Sequence, residues 1–468
     1  MSAELLDALC AAVGEAYVLT QGDLSAWELD WRKRWRGKAL AVVRPGSTAE
    51  VAAVVRACVA HGVPIVPQGG NTGLVGGGVP DASGTQVLLS LARMNRIREL
   101  DRANLTLTAE AGCVLQAVQQ SADNAGLLFP LSLAAEGSCT IGGNLSTNAG
   151  GTQVLRYGNA RALCLGLEVV TSSGDVWHGL SGLRKDNSGY DLRDLFIGSE
   201  GTLGIITAAT LALHAKPAAT MTAIAACASL TECVTLLGLA QQRLGAGLTG
   251  FEAMNAFSLS LVAKHMPQLR QPLPAAPWTV LLELSDNESE AHARERFEGL
   301  LGQALEHGTI GDAAIAESVA QSHTMWHLRE SVPLAQAEEG LNIKHDIALP
   351  VSRIPAFCDA TQTALERAVA GVRLVNFGHL GDGNLHYNVQ APVGVDAAVF
   401  LAEREHEINT IVYDAVSAHG GSISAEHGVG VLKRDELVHY KDETALALMR
   451  AVKAALDPHG VMNPGRVL

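Results

Sequence analysis

Residues 64–78 read PIVPQGGNTGLVGGG and contain the strongest fold signal in the chain. A short β-type run, Pro64 to Pro67, passes into a loop that is rich in glycine and holds no acidic residue. Backbone N–H groups can converge on an anion only where side chains do not block them. The loop therefore favours a phosphate-binding segment, and an ordinary glycine-rich turn is the alternative.

The sequence around this loop alternates short strands and helices. Ser47 and Glu50 form a capping-box pattern, and Val51, Val54 and Val55 follow at helical spacing until Gly62. A further strand is predicted at residues 86–89. From residue 39 to about residue 213 the pattern is that of an α/β domain with a glycine-lined cleft.

A second loop of the same kind lies at residues 137–151, GSCTIGGNLSTNAGG. Two such loops in one domain suit a long diphosphate ligand. The formal GxGxxG motif at residues 245–250 is a weaker signal, because a predicted helix precedes it and a strand follows it. A dinucleotide fingerprint requires the opposite order, so these glycines are interpreted as a helix end and a turn.

After Lys216-Pro217 the pattern changes to that of a small antiparallel sheet covered by helices. Strands are predicted at residues 221–227, near Phe251 and at 278–284, and a hairpin spans residues 374–389. Helices are predicted from a Ser229–Glu232 cap to Leu244 and at residues 288–305.

Length and composition limit the class of protein. A chain of 468 residues is expected to form two or three domains. A formal charge of −14 argues against a nucleic-acid partner, and the eight scattered cysteines indicate reduced core residues. The first 20 residues lack a signal-peptide pattern and no stretch is long enough to span a membrane, so a cytoplasmic protein is expected.

Two histidine-containing segments suggest a metal site. In FGHLGDGNLHYNV, residues 377–389, His379 and His386 flank a glycine turn and could share one metal as cross-strand neighbours. A structural His pair is the alternative. GGSISAEHGVG, residues 420–430, adds Glu426 as a third ligand and leaves His427 as a base, although a surface Glu-His pair on a turn would look the same.

Taken together, these segments resemble the vanillyl-alcohol-oxidase or PCMH-type flavoprotein superfamily over nearly the whole chain. The resemblance implies an α+β fold with a PCMH-type FAD-binding domain of two subdomains, a ferredoxin-like antiparallel-sheet substrate domain and a C-terminal helical segment. Residues 1–215, with a helical lead over 1–38, would bind FAD; residues 216–450 would form the substrate domain with the metal site; residues 451–468 would return to the flavin.

The FAD-contacting residues implied by the resemblance lie in the two loops, in FIGSEGTLGII at residues 196–206 and in the terminal MNPG. They are Pro67, Gly69, Gly70, Asn71, Thr72, Gly73, Gly137, Ser138, Gly142, Gly143, Asn144, Thr147, Asn148, Gly150, Glu200, Gly204, Ile205 and Asn463. No histidine lies in residues 64–80, and Cys139 matches a position in non-covalent members, so dissociable FAD is expected.

The resemblance narrows to the D-2-hydroxyglutarate and D-lactate dehydrogenase branch. It implies that His379, His386 and Glu426 are metal ligands, with zinc as the expected ion, and that His427 is the catalytic base, also in contact with substrate. Arg329, Lys344 and Asn388 would contact the substrate. From the residues alone, Arg329 could instead be a solvated helix residue, and Lys344 an ion-pair partner of Asp346. One member of that branch has a threonine where this chain has Pro333, so Ser331 is the substitute candidate for the contact to the distal carboxylate.

The expected reaction is oxidation of a D-2-hydroxy acid, with D-2-hydroxyglutarate ahead of D-malate and D-lactate. The rivals are a D-lactate or glycolate dehydrogenase, an oxidase, a flavin subunit of an electron-transfer complex and a flavin-free metal hydrolase. An electron-transfer flavoprotein or a quinone is the expected acceptor class, and a homodimer is the expected assembly. The basic run WRKRWRGK, residues 31–38, is a candidate docking surface for the acceptor, with a solvated face as the alternative.

Overall fold

A computed structural model describes residues 2–468. Two compact units are formed. The first contains the chain up to Gly150, Gly158–Lys216 and Glu426–Leu468, and the second contains Gly151–Tyr157 and Pro217–Ala425. The change of pattern at Lys216-Pro217 coincides with a break between the units. The chain re-enters the first compact unit at Glu426. The expected domain boundary between residues 450 and 451 stays a prediction.

The strands are β1 Val18–Leu19, β2 Ala39–Val43, β3 Ile65–Gln68, β4 Gln86–Ser90, β5 Ile97–Asp101, β6 Thr106–Glu110, β7 Leu127–Leu128, β8 Cys164–Thr171, β9 Val176–Gly179, β10 Gly204–Ala212, β11 His214–Ala215, β12 Ala219–Cys227, β13 Leu248–Asn255, β14 Trp278–Asp286, β15 Asp312–Ile315, β16 Asn342–Ile343, β17 Asp346–Ala348, β18 Arg373–Gly378 and β19 Asn384–Gln390. The α-helices are α1 Ala3–Val13, α2 Ser25–Glu28, α3 Thr48–Ala60, α4 Leu115–Asn124, α5 Ile141–Ser146, α6 Val154–Tyr157, α7 Arg193–Phe196, α8 Leu230–Leu244, α9 Ala256–His265, α10 Glu290–Glu306, α11 Val319–Glu330, α12 Val332–Glu339, α13 Ile354–Ala368, α14 Ala397–Ala418, α15 Arg434–Tyr440 and α16 Glu443–Leu456.

The first unit holds two main sheets. One has the order β1-β2-β4-β3, in which β2, β4 and β3 run parallel, and the other is the antiparallel sheet β5-β6-β10-β8-β9. Helix α3 begins as predicted, because Ser47 Oγ accepts a hydrogen bond from Glu50 N. The carboxylate of Glu50 accepts from Gly46 N, one residue before the position that a capping box uses. The buried face of α3 then packs with the strands in one hydrophobic core.

The second unit is built on an antiparallel sheet with the order β15-β12-β14-β13-β18-β19-β16, to which β17 adds by pairing with β19. This sheet is larger than the small one predicted, although each predicted strand and helix is present. The Ser229–Glu232 capping box starts α8, which ends at Leu244. Gly245 has a φ of +51° and precedes β13, so the 245–250 glycines form a helix end and a turn as predicted.

Within residues 2–468 we find no helix with the length and apolar character that crossing a membrane requires.

Candidate functional site

The three glycine-rich segments meet around one cleft of the first unit. The cleft is open to solvent, and its empty space, which includes part of that solvent, is about 950 Å³. Predicted cofactor residues form much of its wall: Pro67, Gly69, Gly70, Asn71, Thr72, Gly73, Gly142, Gly143, Asn144, Thr147, Glu200, Gly204 and Ile205. The loop after β3, the N-terminal part of α5 and the start of β10 bring them together.

The glycine at position 70 is required by the close approach of two backbone segments. A Cβ atom there would clash with the carbonyl group of Ser138 in the second loop. Asn71, the next residue, has a φ of +53°, and its side-chain amide donates to the carbonyl oxygens of Ala26 and Leu29. The first loop is therefore anchored on both sides, which keeps its backbone amides in place along the cleft.

Thr140 is a wall residue that the sequence analysis did not single out. Its side chain is buried, and Thr140 Oγ1 has no hydrogen-bond partner among residues 2–468. A buried hydroxyl without a partner costs free energy unless a ligand or a water satisfies it. Together with the close-packed glycine loops, this hydroxyl fits a bound polar cofactor. Its position inside the second loop was the available signal.

Five predicted cofactor residues do not line the cleft: Gly137, Ser138, Asn148, Gly150 and Asn463. Asn148 accepts a hydrogen bond from Arg161 N at 3.0 Å. Asn463 Nδ2 donates to the carbonyl oxygens of Gly77 and Glu200, so the terminal MNPG segment ties the first loop to the third. In this structure, Asn148 and Asn463 act on the shape of the loops, and direct cofactor contact remains a prediction.

Cys139 is buried at 3% exposure and is not part of the cleft wall. Burial raises the pKa of the Cys139 thiol, although a hydrogen bond from Asn144 opposes the shift. The thiol is therefore held in its protonated, unreactive form at neutral pH, because the thiolate is the nucleophile.

His427 lies on the wall of the same cleft. The loop that carries it is fixed by Glu200, whose carboxylate accepts hydrogen bonds from Val429 N at 2.7 Å and Gly430 N at 2.8 Å. Gly428 stands so close that a Cβ would lie 2.7 Å from Glu200 Oε1. Burial raises the pKa of Glu200 against these two backbone hydrogen bonds. Glu200, predicted as a cofactor residue, thus also positions the segment of the predicted base.

In the second unit, Glu252 on β13 joins two predicted site residues. Glu252 is fully buried, and its two oxygens bond His379 Nδ1 at 2.6 Å and Arg329 Nε at 2.7 Å. Burial raises the pKa of Glu252, but the charges of Arg329 and His379 outweigh burial and leave it at about 2. The carboxylate is therefore ionised and accepts from both partners.

Arg329 is a buried ion-pair residue at 6% exposure, so the alternative of a solvated helix residue is wrong. It lies in the last turn of α11, and its guanidinium packs 5.1 Å from the Phe377 ring centroid. Glu252 occupies Nε, whereas Arg329 Nη2 is buried and has no partner in the described chain. An Arg donor left in this way fits a carboxylate or another anionic ligand.

His379 and His386 lie with ring centroids 5.5 Å apart at 77°. They are neighbours without being register partners, since Phe377 on β18 and Asp346 on β17 are the residues opposite His386. Because Glu252 accepts at His379 Nδ1, that nitrogen carries a proton, and Nε2 is the nitrogen through which His379 could bind a metal once the ring is neutral. The pair therefore has the donor chemistry of a divalent-metal site.

Glu426 follows Ala425, whose N–H donates to the Asp346 carbonyl oxygen at 3.3 Å. Asp346 is in turn the register partner of His386. Asp346 is itself a buried carboxylate that accepts from Asn384 Nδ2 at 3.0 Å. From the sequence, Asp346 was expected only as an ion-pair partner of Lys344, because its place opposite His386 depends on the strand register.

The remaining predicted substrate residues surround β19. Lys344 is half-buried between β16 and β17. Asn388 is buried in an amide network, in which its Oδ1 accepts from His345 N and its Nδ2 donates to Gln336. Ser331 is fully buried, and its Oγ has no partner within the described residues. The Ser331 hydroxyl can therefore still hydrogen-bond a ligand, whereas Asn388 already uses its amide oxygen and one amide hydrogen in bonds within the protein.

The fold is shared with solved structures of other proteins. The structure superposes on p-cresol methylhydroxylase with substrate bound with a TM-score of 0.77 at 16% identity, covering 99% of this chain and 96% of that one. It also matches 4-ethylphenol oxidase from Gulosibacter chungangensis with a TM-score of 0.72 at 17% identity, covering 100% and 98%. At such identities these likenesses show the fold alone. The predicted PCMH-type fold is confirmed.

Sequence comparisons narrow the class. Residues 39–179 match the FAD binding domain family, and residues 216–467 match the family of FAD linked oxidases, C-terminal domain. Fold, cleft and family matches together define an FAD-dependent oxidoreductase, as predicted.

Curated relatives lead to a particular group within that class. The D-2-hydroxyglutarate dehydrogenase of Xanthomonas citri pv. viticola is 40% identical over 95% of this chain and 92% of its own length. That of Stutzerimonas stutzeri is 37% identical over 99% and 98%, and the mitochondrial enzyme of Arabidopsis thaliana is 38% identical over 97% and 80%. The chain belongs to the D-2-hydroxyglutarate dehydrogenase family of FAD-linked oxidases.

Proposed function

We propose that the protein oxidises D-2-hydroxy acids to 2-oxo acids, with D-2-hydroxyglutarate as the preferred substrate and D-malate and D-lactate behind it. The observation that carries the proposal is identity of 37–40% along nearly the whole chain to relatives named for that substrate. The buried, partly unsatisfied Arg329 supports an acid over a neutral alcohol, because a buried guanidinium donor pairs best with a carboxylate.

Recognition of the substrate is assigned to the second unit. Arg329 would hold one carboxylate through Nη2, and Lys344 would add a second cation from the β16–β17 connection. Ser331 replaces the missing threonine as the contact for the distal carboxylate, which its unpaired Oγ supports. Asn388 would donate its second amide hydrogen to the substrate, or would act indirectly by holding the backbone of His345 in place.

His427 is the proposed base that removes the proton of the substrate hydroxyl. An imidazole titrates near neutral pH, and this one lies on the cofactor cleft in a loop that Glu200 fixes. Because two backbone amides on the C-terminal side of His427 are bound to one buried carboxylate, its imidazole has a limited range of positions. Such positioning reduces the entropy cost of the proton transfer.

FAD in the first-unit cleft would accept the hydride from the substrate carbon. We propose that this FAD is dissociable, since the first loop lacks a histidine and the only thiol in the second loop is buried with a raised pKa.

A divalent metal, zinc in the first place, is proposed to bind His379, His386 and Glu426. Such an ion would supply Lewis-acid polarisation of the substrate hydroxyl. The support comes from the adjacent imidazole rings, the tautomer that Glu252 imposes on His379 and the link from Ala425 to the register partner of His386. Asp346 is a further carboxylate at that position.

We further propose that the reduced flavin passes its electrons to a flavoprotein or a quinone. The proposed assembly is a homodimer, and the proposed location is the cytoplasm. The basic run 31–38 supports a docked acceptor, and its Trp31 is 65% exposed.

The decisive experiment is steady-state oxidation of matched D- and L-2-hydroxy acids with an artificial electron acceptor, before and after chelation. We expect turnover of D-2-hydroxyglutarate, loss of turnover after chelation and recovery with Zn²⁺. Absence of turnover with every D-2-hydroxy acid in the reconstituted enzyme would contradict the proposed reaction.

A further inference from the structure

The second unit contains one carboxylate whose two oxygens serve two different predicted functions. Glu252 lies on β13, a strand between β14 and β18, and it is 0% exposed. One oxygen accepts from His379 Nδ1 at 2.6 Å, and the other accepts from Arg329 Nε at 2.7 Å. Both partners are themselves more than nine-tenths buried.

Burying a glutamate in a sheet interior is costly unless its charge is compensated and hydrogen-bonded. The neighbours of Glu252 on β13 are Phe251 and Ala253, both apolar and also buried. A hydrophobic residue would therefore suit the strand better. The ionised side chain is explained by what it does to Arg329 and His379.

At His379 the contact fixes the tautomer. Arg329 Nε can only donate, so Glu252 accepts there as a carboxylate, and its other oxygen accepts from His379 Nδ1; Nε2 is then the nitrogen through which a neutral His379 would bind a metal. A carboxylate behind a ligand histidine also orients the ring and increases its basicity, and loss of such a partner typically weakens metal binding about 10- to 100-fold.

At Arg329 the contact selects the face of the guanidinium that remains for a ligand. Nε is occupied by Glu252, so the edge formed by Nε and Nη2 cannot make a bidentate pair with substrate. The buried Nη2 is left without a protein partner. An anionic substrate can then meet only the terminal nitrogens, and this fixes the direction from which its carboxylate approaches.

We propose that Glu252 is a positioning residue that sets the metal-binding tautomer of His379 and the substrate-binding face of Arg329 at once. This inference rests on the proposed function, since it takes His379 as a metal ligand and Arg329 as a carboxylate anchor. Through Glu252, both groups are fixed to the same point of β13. The spacing between metal and substrate carboxylate is thereby built into the sheet.

The isosteric change Glu252→Gln tests the double role, because an amide accepts on only one side. A guanidinium N–H can only donate, so the amide oxygen turns to Arg329 and the NH₂ group faces His379. The imidazole must then accept at Nδ1 and carry its proton on Nε2, the nitrogen needed for the metal. We expect Zn²⁺ affinity to fall about 10- to 100-fold while FAD content is unchanged.

A matched control lies on the adjacent strand. Glu283 on β14 is also buried, and its carboxylate accepts hydrogen bonds from Thr249 Oγ1 at 2.8 Å and Trp326 Nε1 at 2.9 Å. Glu283→Gln makes the same chemical change in the same sheet. We expect it to share any general loss of thermal stability and to keep wild-type Zn²⁺ affinity and KM.

The measurement is Zn²⁺ titration of chelated, FAD-loaded protein against a competing chelator, with KM and kcat for D-2-hydroxyglutarate on the same samples. Weakened Zn²⁺ binding or a raised KM in Glu252→Gln, with neither change in Glu283→Gln, supports the inference. The charged variant Glu252→Asp should bind Zn²⁺ more tightly than Glu252→Gln, since it accepts on both oxygens. If Glu252→Gln does not retain FAD, Glu252→Asp is compared with Glu283→Asp instead: its carboxylate is one methylene further from Arg329 and His379, so lower Zn²⁺ affinity than in Glu283→Asp supports the inference and equal affinity overturns it.

Zn²⁺ affinity and KM in Glu252→Gln equal to those in Glu283→Gln would overturn the inference, and so would a wild-type chain that binds no Zn²⁺. Failure of the proposed reaction is separate from this result. A wild-type enzyme that binds Zn²⁺ but oxidises no D-2-hydroxy acid contradicts the reaction, while the affinity comparison still decides the role of Glu252.

Discussion

The substitution Arg329→Lys separates the two tasks of this arginine, which are to compensate Glu252 and to bind the substrate. Lysine keeps the positive charge, so it can still pair with the buried carboxylate on β13. Arg329→Ala would instead leave that charge uncompensated and is expected to destabilise the protein by about 3–5 kcal/mol. The lysine variant is therefore the better probe of function.

The expected loss follows from the number of donors. A single ammonium that stays beside Glu252 cannot also occupy the position of Arg329 Nη2, the buried donor without a protein partner. The substrate then loses one charge-assisted hydrogen bond, worth about 1.5–3 kcal/mol. At about 1.4 kcal/mol for each factor of ten, kcat/KM should fall roughly 10- to 150-fold, mainly through KM.

The assay is initial rates over a range of D-2-hydroxyglutarate concentrations, with the thermal midpoint and FAD content measured on the same preparations. Arg373→Lys is the control, because Arg373 pairs with Glu339 at 2.6 Å in the same unit and has no predicted role in the site. An Arg329→Lys enzyme within about twofold of the control in kcat/KM would refute the assignment of Arg329 as a substrate anchor.

Three further predictions concern the cofactor, the metal and the base. Acid precipitation should release the flavin into the supernatant, because Cys139 is buried and its thiol pKa is raised; colour that stays with the pellet would contradict dissociable FAD. Gly70→Ala should lower FAD content per chain measured by absorbance, since a Cβ there meets the Ser138 carbonyl group, and full FAD content would show that the loop can move aside. His386→Ala should lose bound metal and turnover but keep FAD, whereas His427→Ala should keep both FAD and metal and lose about 10²- to 10⁴-fold in kcat. Metal analysis and initial rates on both variants check this contrast. Full activity in a metal-free sample would overturn the proposed role of the metal.

Much of the fold was predictable because its signals are local. The capping residues Ser47 and Ser229 fix the starts of α3 and α8 through hydrogen bonds that span only three residues. The glycines of the loop at residues 64–78 indicate directly where other chain segments approach its backbone, because a side chain there would block the approach. The hairpin of β18 and β19 follows from its turn. For these features, the sequence determines the structure directly.

The segment Gly151–Tyr157 shows where local reasoning ends. It follows the second glycine loop without a break in pattern, yet it packs in the second unit, where α6 contacts β13. Nothing in seven residues encodes a packing partner about a hundred positions further along the chain. The return of the chain to the first unit at Glu426 is a second case, because it depends on contacts such as those between Glu200 and the amides of residues 429 and 430.

The sequence by itself determined the cofactor loops, the histidine hairpin and the resemblance that named Arg329, His379 and His427. Only the tertiary structure decided how these groups are held. Glu252 is an inconspicuous residue in the strand sequence LTGFEAMN, and its partners lie 77 and 127 residues away. A buried carboxylate becomes stable only when such distant donors converge on it, and that convergence is a property of the sheet and its helices, which no local pattern of residues contains.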